Sequence, residues 1–160
     1  MTAPEDRRQN LGGDDLAAEL PAADRLAIQE VLARFYLALE ARDPAGVAAT
    51  MSEDGVLVMR AGSRSSPSRQ SIGSEAIRSA VAAYLAERSG SHIRHLLSNF
   101  TFEPYADRVE FGCAILALET ANALSMVGVA TADCTAVRTD GRWSICRFDH
   151  YLDPPDRAGD

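Results

Sequence analysis

The sequence predicts an α+β domain in which a curled antiparallel sheet wraps around a long N-terminal helix, with two further helices. Helical signals dominate up to Gly90, and long β-type segments follow it. Hydrophobic residues make up 46% of the 160 positions, enough for one sizeable core and a single domain. The sheet is expected to curl around the first helix because both elements need to bury an apolar face.

The first helix is predicted from Pro21 or Asp24 to about Arg42. Its apolar residues recur at the i, i+3, i+4, i+7 spacing of a helix with one buried face. These residues are Ile28, Val31, Leu32, Phe35, Tyr36 and Leu39. The pattern places one long amphipathic helix at the start of the folded unit.

Shorter elements are predicted after the first helix. Asp43 and Pro44 are typical of an N-cap and a proline in the first turn, so a short helix is expected through Met51. A turn over residues 52–55 then leads into a short strand over residues 56–60.

A loop and a third helix are predicted before Gly90. Residues 61–73 are rich in serine and contain Pro67, which favours a flexible loop of the kind that often lies over a site mouth. Ser74 followed by Glu75 predicts a capped helix that runs to about Arg88. Its buried face is expected to comprise Ile77, Val81, Tyr84 and Leu85.

Four long strands are predicted in the second half, over residues 92–104, 108–119, 123–138 and 143–152. Asp140 and Gly141 are a strong hairpin-turn signal between the last two. Residues 1–20 and 153–160 are polar and lack periodicity, so both read as flexible tails. The folded domain is therefore expected to span residues 21–152.

The charge of the chain excludes several classes of function. The formal net charge is -7, which disfavours nucleic acid and anionic membranes as partners. All sixteen basic residues are arginine, so a lysine Schiff base and a phosphate-binding P-loop are excluded. A small neutral or apolar ligand is easier to accommodate.

Cysteine spacing and the N-terminal residues bear on redox state and location. Cys113, Cys134 and Cys146 are odd in number and far apart, which favours reduced core thiols over disulfides or a zinc site. The first thirty residues lack an apolar signal core, and no stretch reaches membrane-spanning length. We expect a cytoplasmic protein without a metal or cofactor.

Four residues are candidates for general acid–base chemistry. Tyr36 and Glu40 are one helical turn apart near the end of the first helix. His95 and Asn99 have even spacing in the first long strand, so they are predicted to share one face. A fold that brings together a phenol, a carboxylate and an imidazole can move protons.

Each candidate also has a purely structural interpretation. A histidine on an apolar strand is more often a hydrogen-bonded core residue than a catalyst. Glu40 could be solvated and paired with Arg34 or Arg42, and Tyr36 could be an ordinary core tyrosine. Only the combination with His95 favours a catalytic role for Tyr36 or Glu40 over these structural roles.

Other polar residues are given lesser roles. Asp43 and Asp54 are explained by capping and turn formation. His92 faces opposite to His95 near a strand start and is expected at the surface. Asp149 and His150 must point to opposite faces of the last strand, and the pattern does not decide which one faces inward.

The order of the elements and four stretches of sequence resemble a known superfamily. The stretches are DRLAIQEVLARFYLALEARDPAGVAATMSEDGVLV (24–58), SIGSEAIRSAV (71–81), IRHLLSNFTFE (93–103) and RTDGRWSICR (138–147). They resemble the SnoaL-like and scytalone dehydratase-like branch of the nuclear transport factor 2-like superfamily. The resemblance implies a cone-shaped fold.

The resemblance also implies where a site would lie. In that branch the first helix commonly carries a Tyr and then an Asp at its inner end. A strand motif of Arg-His, with Asn four positions after the His, lines the pocket. The matching positions here are Tyr36, Glu40, Arg94, His95 and Asn99.

Two positions depart from the pattern of the branch. Glu40 is one methylene longer than the usual Asp, which changes where its oxygens reach. Ala132 and Cys134 align where members often have Tyr and Asp on the third long strand, so any role of those groups is missing here.

The function implied is that of a cofactor-independent lyase, isomerase or cyclase acting on a hydrophobic, polycyclic or polyketide-like carbonyl compound. His95 would move the proton, Glu40 would orient it, and Tyr36 would donate to the carbonyl. Asn99, Phe35 and Leu39 are expected to contact the substrate.

The alternative is a non-catalytic ligand-binding or assembly module, like the small subunits of ring-hydroxylating dioxygenases. A closed apolar pocket favours the enzyme, and a filled cone interior favours the module. A homodimer through the outer sheet surface is also expected, because the strands carry apolar residues on both faces, for example Phe111 and Ile115 against Ala114 and Leu116.

Overall fold

Three helices lie against the inner face of one sheet in the computed structural model, which describes residues 19–61, 68–90, 92–120 and 124–152. The helices are α1 (Ala22–Glu40), α2 (Pro44–Ala49) and α3 (Ser74–Ala86). The strands are β1 (Met51–Ala61), β2 (Ser68–Ile72), β3 (Ile93–Pro104), β4 (Val109–Glu119), β5 (Ser125–Thr139) and β6 (Arg142–Leu152). The predicted α+β class is confirmed.

The six strands of the described residues follow the spatial order β2-β1-β6-β5-β4-β3. Neighbouring strands are antiparallel except β1 and β6, which run parallel. The strands β2 and β3 remain at the two ends, so the sheet is curled but not closed. Helix α1 contacts both β3 and β6, which two other strands separate. The sheet therefore wraps around α1 as a cone.

Helix α1 fills the cone with the apolar face that its periodicity predicts. Its buried residues are Ile28, Leu32, Phe35 and Tyr36. Burial of each of Ile28, Leu32 and Phe35 stabilises the fold by roughly 1.5–3 kcal/mol. Near the start of α1, the Asp24 carboxylate accepts a 2.9 Å hydrogen bond from the Trp143 indole on β6. This bond fixes the helix against the sheet.

The helix starts agree with the sequence at α2 and differ at α3. The Asp43 side chain accepts a hydrogen bond from the Gly46 N–H and caps α2, as predicted. At α3 the capping position is Gly73, with φ of 82°, and Ser74 is already helical and makes no capping bond. The prediction of Ser74 as the cap is wrong, because a backbone with positive φ favours the glycine before it.

The segment between α2 and α3 is more regular than predicted. Strand β1 begins at Met51 and its register with β6 shifts between Met51 and Val56, so the predicted turn is an irregularity within a strand. Part of the predicted loop 61–73 is strand β2, which pairs with β1. Residues 62–67 of that loop lie outside the described residues.

The hairpin between β5 and β6 is confirmed. Asp140 and Gly141 both have positive φ, 50° and 78°, and Thr139 pairs with Arg142 across the turn. Two central residues with positive φ form the turn whose twist matches that of the flanking strands. The turn sets the register of β5 with β6 as far as the Ala136–Ile145 pair, beyond which a bulge shifts it.

The predicted tails lie almost entirely outside the described residues. Leu20, at the end of the predicted N-terminal tail, is buried, and its carbonyl accepts a hydrogen bond from Arg25. Within the described ranges, the helices are too short or too polar to cross a membrane.

Candidate functional site

The last residue of α1, Glu40, is held by donors from β3. Its side chain is only 7% exposed. The oxygen Oε2 accepts a 2.7 Å hydrogen bond from Arg94 Nη1, and Oε1 accepts one of 2.7 Å from the His95 backbone N–H. Oε1 also lies 3.2 Å from His95 Nδ1. A negative charge is disfavoured at a helix C-terminus, so these donors offset the cost of placing it there.

Arg94 and His95 lie on opposite faces of strand β3, and both contact the Glu40 carboxylate. Successive residues of a strand alternate in direction, so His95 turns toward α1 while Arg94 stays largely exposed. The His95 side chain is 10% exposed, and its ring lies 4.6 Å from the ring of Tyr36. Glu40, His95 and Tyr36 therefore meet inside the cone, despite the extra methylene of the glutamate.

The local environment sets the charge of the pair. Burial would raise the pKa of Glu40, but hydrogen bonds from Arg94 and His95 outweigh it and lower that pKa below its usual value. Burial lowers the pKa of His95, and Glu40 offsets this only in part. At neutral pH the pair is a carboxylate and a neutral imidazole. Donation from Nδ1–H to Glu40 leaves Nε2 with its lone pair.

Below His95, aromatic rings fill the cone. Tyr36 is 4% exposed, and Phe35 packs edge-on against both Tyr36 and Phe148. The Tyr36 hydroxyl is buried with no hydrogen-bond partner among the described residues. Burial raises the pKa of Tyr36 well above its ordinary value, so the phenol stays protonated. The hydroxyl can donate to an incoming oxygen.

His150 is an inward-facing histidine that the sequence left undecided. It lies on β6 opposite Ala132 and contacts the ring of Phe148, two residues before it on the same face. Its Nδ1 is buried without a hydrogen-bond partner in the described structure. Burial, and then the charge of His95, lower its pKa to about 4. In the sequence, the even spacing between His150 and the apolar Phe148 was the signal that His150 faces inward.

Asn99 does not share the face of His95, and that prediction is wrong. The register of β3 with β4 shifts between Ser98 and Thr101, and Asn99 adopts a φ of 55° within this bulge. The extra residue reverses the alternation. Asn99 is therefore exposed, and Phe100 turns toward the core instead.

A cleft opens between the C-terminal ends of α1 and α3 and the start of β3. It is lined by Leu39, Glu40, Arg42, Tyr84, Leu85, Arg88, Ile93 and His95. Its cavity volume is about 30 Å³, and the total empty space is about 350 Å³ when the part open to solvent is included. Of the predicted pocket residues, Leu39 and His95 line it, Phe35 and Tyr36 are buried in the core, and Asn99 lies elsewhere.

The three cysteines are free thiols. Cys113 and Cys134 are buried free thiols, and burial raises the pKa of Cys113 to about 11. Within the described residues, no three His, Cys, Asp or Glu side chains are grouped closely enough to hold one metal ion.

Comparison with known proteins assigns the chain to a family. A sequence model of the SnoaL-like domain matches residues 21–149. The chain belongs to the SnoaL-like family. The matched region extends from just before α1 into β6 and includes every residue of the Tyr36, Glu40 and His95 cluster. No curated protein matches this SnoaL-like chain.

Several solved structures share the fold of this SnoaL-like protein. A protein of unknown function with a cystatin-like fold from Nostoc punctiforme is 24% identical over 86% of this chain and 96% of its own, with a TM-score of 0.71. A Catenulispora acidiphila protein in complex with S-DNPA is 24% identical over 82% and 95%, with a TM-score of 0.70. ActVI-ORFA from Streptomyces coelicolor is 19% identical over 81% and 97%, with a TM-score of 0.68.

Proposed function

We propose that this protein is a cofactor-independent lyase, isomerase or cyclase that acts on a hydrophobic, polycyclic or polyketide-like carbonyl compound. The observation that carries the proposal is the hydrogen bond between Glu40 and His95 on the wall of an open cleft. Such a pair is a general base whose orientation and tautomer are set by the carboxylate.

The proposed chemistry begins with removal of a proton from the carbon next to the carbonyl. His95 Nε2 takes this proton, and the electron pair of the C–H bond moves toward the carbonyl oxygen. For Tyr36 to donate a hydrogen bond to that oxygen as its negative charge develops, the carbonyl group has to pass beyond the cleft, because the Tyr36 hydroxyl is buried below His95. The imidazolium formed on His95 is stabilised by Glu40 and returns the proton later. The same enolate leads to isomerisation, loss of a β-hydroxyl or ring closure.

The apolar surroundings and the structural neighbours support the substrate class. Leu39, Leu85 and Ile93 line the cleft together with the ring of Tyr84. Neutral His95 and protonated Tyr36 suit a neutral carbonyl group. One protein of the same fold was solved in complex with S-DNPA, which supports a ligand site within this fold.

The test measures proton removal without knowledge of the natural substrate. Ketones with acidic α-protons, beginning with 2-tetralone, are incubated with the protein in D₂O, and deuterium uptake at the α-carbon is followed by NMR. We expect exchange that falls by roughly a thousandfold in His95→Gln. The exposed His92→Gln is the matched control and should retain the wild-type rate. Equal exchange in His95→Gln and wild type would remove His95 as the base.

A binding or assembly module is the second candidate, and one observation favours it. The cavity volume of the cleft, about 30 Å³, is far below that of a typical ligand pocket, and the aromatic rings of Phe35, Tyr36 and Phe148 fill the cone beside it. This candidate predicts that bicyclic ketones bind without any exchange above the buffer rate. Binding and exchange measured on the same ketones distinguish the two functions.

A further inference from the structure

Two arginines stand at the cleft that leads to His95. Arg42 follows α1, and Arg88 follows α3. Both belong to the lining of the cleft, although neither takes part in the proposed proton transfer. The chain as a whole is acidic, with a net charge of -7, so a local concentration of positive charge at this opening is a specific feature.

Neutral groups hold both guanidinium groups in place. Arg42 donates to the carbonyl oxygens of Leu85 and Arg88, the latter at 3.1 Å, and so satisfies the C-terminal end of α3. The Arg88 guanidinium lies 4.1 Å from the centre of the Tyr84 ring. Carbonyl oxygens and an aromatic ring position a cation without cancelling its formal charge. Little ordering cost then remains when an anion binds.

The acidic groups nearby leave this positive charge largely uncompensated. Glu40 is already neutralised by Arg94 at 2.7 Å. The Glu87 carboxylate lies 3.7 Å from Arg88, but the two side chains are 69% and 42% exposed. An exposed pair of this kind contributes little and is readily exchanged for another anion. The cleft therefore combines a guanidinium, whose carboxylate partner is exposed and exchangeable, with an apolar wall.

We propose that the substrate of this site carries a carboxylate, which Arg88 binds while the apolar part of the molecule lies along the cleft toward His95. The inference rests on the proposed function for the carbonyl chemistry, but the binding of the carboxylate is separate from it. A planar guanidinium matches a carboxylate with two parallel hydrogen bonds. Leu39, Leu85 and Ile93 supply the contact surface for the carbon skeleton. Arg42 adds positive potential beside the same group.

The experiment compares two ligands of the same shape that differ in charge. Isothermal titration calorimetry measures the affinity of wild-type protein for 2-naphthoate and for the neutral 2-naphthamide at low ionic strength. We expect 2-naphthoate to bind more tightly. Arg88→Gln should weaken 2-naphthoate roughly tenfold and leave 2-naphthamide within about twofold. Arg78→Gln is the control, since it removes the same charge from the exposed side of α3.

A variant that is expected to strengthen binding provides a second test. Glu87→Gln removes the carboxylate that competes for Arg88, so it should strengthen binding of 2-naphthoate about twofold to threefold. Equal affinity of wild-type protein for the two ligands, absence of 2-naphthoate binding, or equal losses in Arg88→Gln and Arg78→Gln would each overturn the proposal. These results do not depend on proton exchange. A failure of the carboxylate proposal is therefore distinguishable from a failure of the acid–base chemistry.

Discussion

Two buried carboxylates, Glu40 and Asp149, have nearly the same exposure but different surroundings. Their side chains are 7% and 8% exposed, and each is paired with arginine. Asp149 accepts two hydrogen bonds from Arg147, and Arg60 lies 3.8 Å away. Glu40 also contacts an imidazole and lines a cleft. Burial and an arginine partner are common to both acids, so the imidazole and the cleft are what distinguish Glu40, the proposed functional acid.

The faces of the sheet explain the difference. Asp149 alternates with the inward-facing Phe148 and His150, so its carboxylate lies on the outer face, away from the cone. Glu40 enters the cone from the end of α1 and meets the inward face of β3. The two acids therefore form a natural control pair for separating catalytic from structural effects.

The largest expected effect is on the reaction rate of Glu40→Gln. Loss of the carboxylate removes the group that orients His95 and stabilises its imidazolium, so α-proton exchange should fall by roughly a thousandfold. The matched variant Asp149→Asn should exchange at a rate within about threefold of wild type, because it lies on the opposite face. Deuterium uptake by the same ketone measures both. Equal losses in the two variants would remove the distinction between these acids.

The next effect concerns the dependence of stability on pH. The pKa of His150 is about 4 in the folded chain against 6.5 for an unperturbed histidine. The unfolded chain therefore binds the proton more readily, and stability present above pH 6.5 is lost as the pH falls toward 4. The loss from this residue is roughly 3 kcal/mol. The lowered pKa of His95 acts in the same direction.

Urea unfolding between pH 7 and pH 4 measures this dependence. His150→Gln should flatten the slope of unfolding free energy against pH, whatever its effect on absolute stability. His92→Gln, at an exposed position, is the control variant. A slope in His150→Gln identical to that of wild type would show that His150 is not the group responsible.

A smaller effect is expected on the stability of the outer face. Asp149→Asn leaves Arg147 and Arg60 without their carboxylate, which should lower the free energy of unfolding by roughly 2 kcal/mol. The loss is limited because the Arg147 side chain is 45% exposed and can be hydrated. Urea unfolding at pH 7 measures it. A loss below about 0.5 kcal/mol would mean that this ion pair is no stronger than a surface pair.

The outer face also bears on assembly. Leu96, Leu116 and Val129 lie side by side across β3, β4 and β5, and Leu96 is 51% exposed. We propose that a second copy of the chain covers this face in a homodimer. Leu96→Glu should raise the dissociation constant about tenfold or more in analytical ultracentrifugation. Leu26→Glu, on the exposed side of α1, is the control. A wild-type monomer at micromolar concentration would contradict the proposal.

The sequence predicts some parts of the fold well for identifiable reasons. The apolar spacing of α1 and the Asp140-Gly141 turn are local signals that tertiary contacts do not override. Strand β2 was missed because Ser68–Ile72 is an exposed edge strand without apolar alternation. An edge strand pairs on one side only, so its residues need not carry a buried pattern.

The site was predictable only as far as its strands are regular. His95 follows the alternation of β3, but the bulge near Asn99 has no apolar marker, and asparagine adopts positive φ more readily than most residues. The role of Arg94 depends on where the chain places Glu40, 54 positions earlier in the sequence. Such long-range contacts come from the curl of the sheet and not from local periodicity.

The proposed chemistry depends most on the hydrogen bond by which Glu40 holds His95 with its Nδ1 protonated and its Nε2 free. The chain has only three histidines, so long-range ¹H–¹⁵N correlation spectra can resolve each ring once His92→Asn and His150→Asn variants assign the signals. At pH 7 we expect His95 to be neutral and in the Nδ1–H form, and Glu40→Ala should convert it to a mixture of both tautomers. A predominant Nε2–H form in wild-type protein, or a His95 signal unchanged in Glu40→Ala, would show that Glu40 does not set the tautomer of His95.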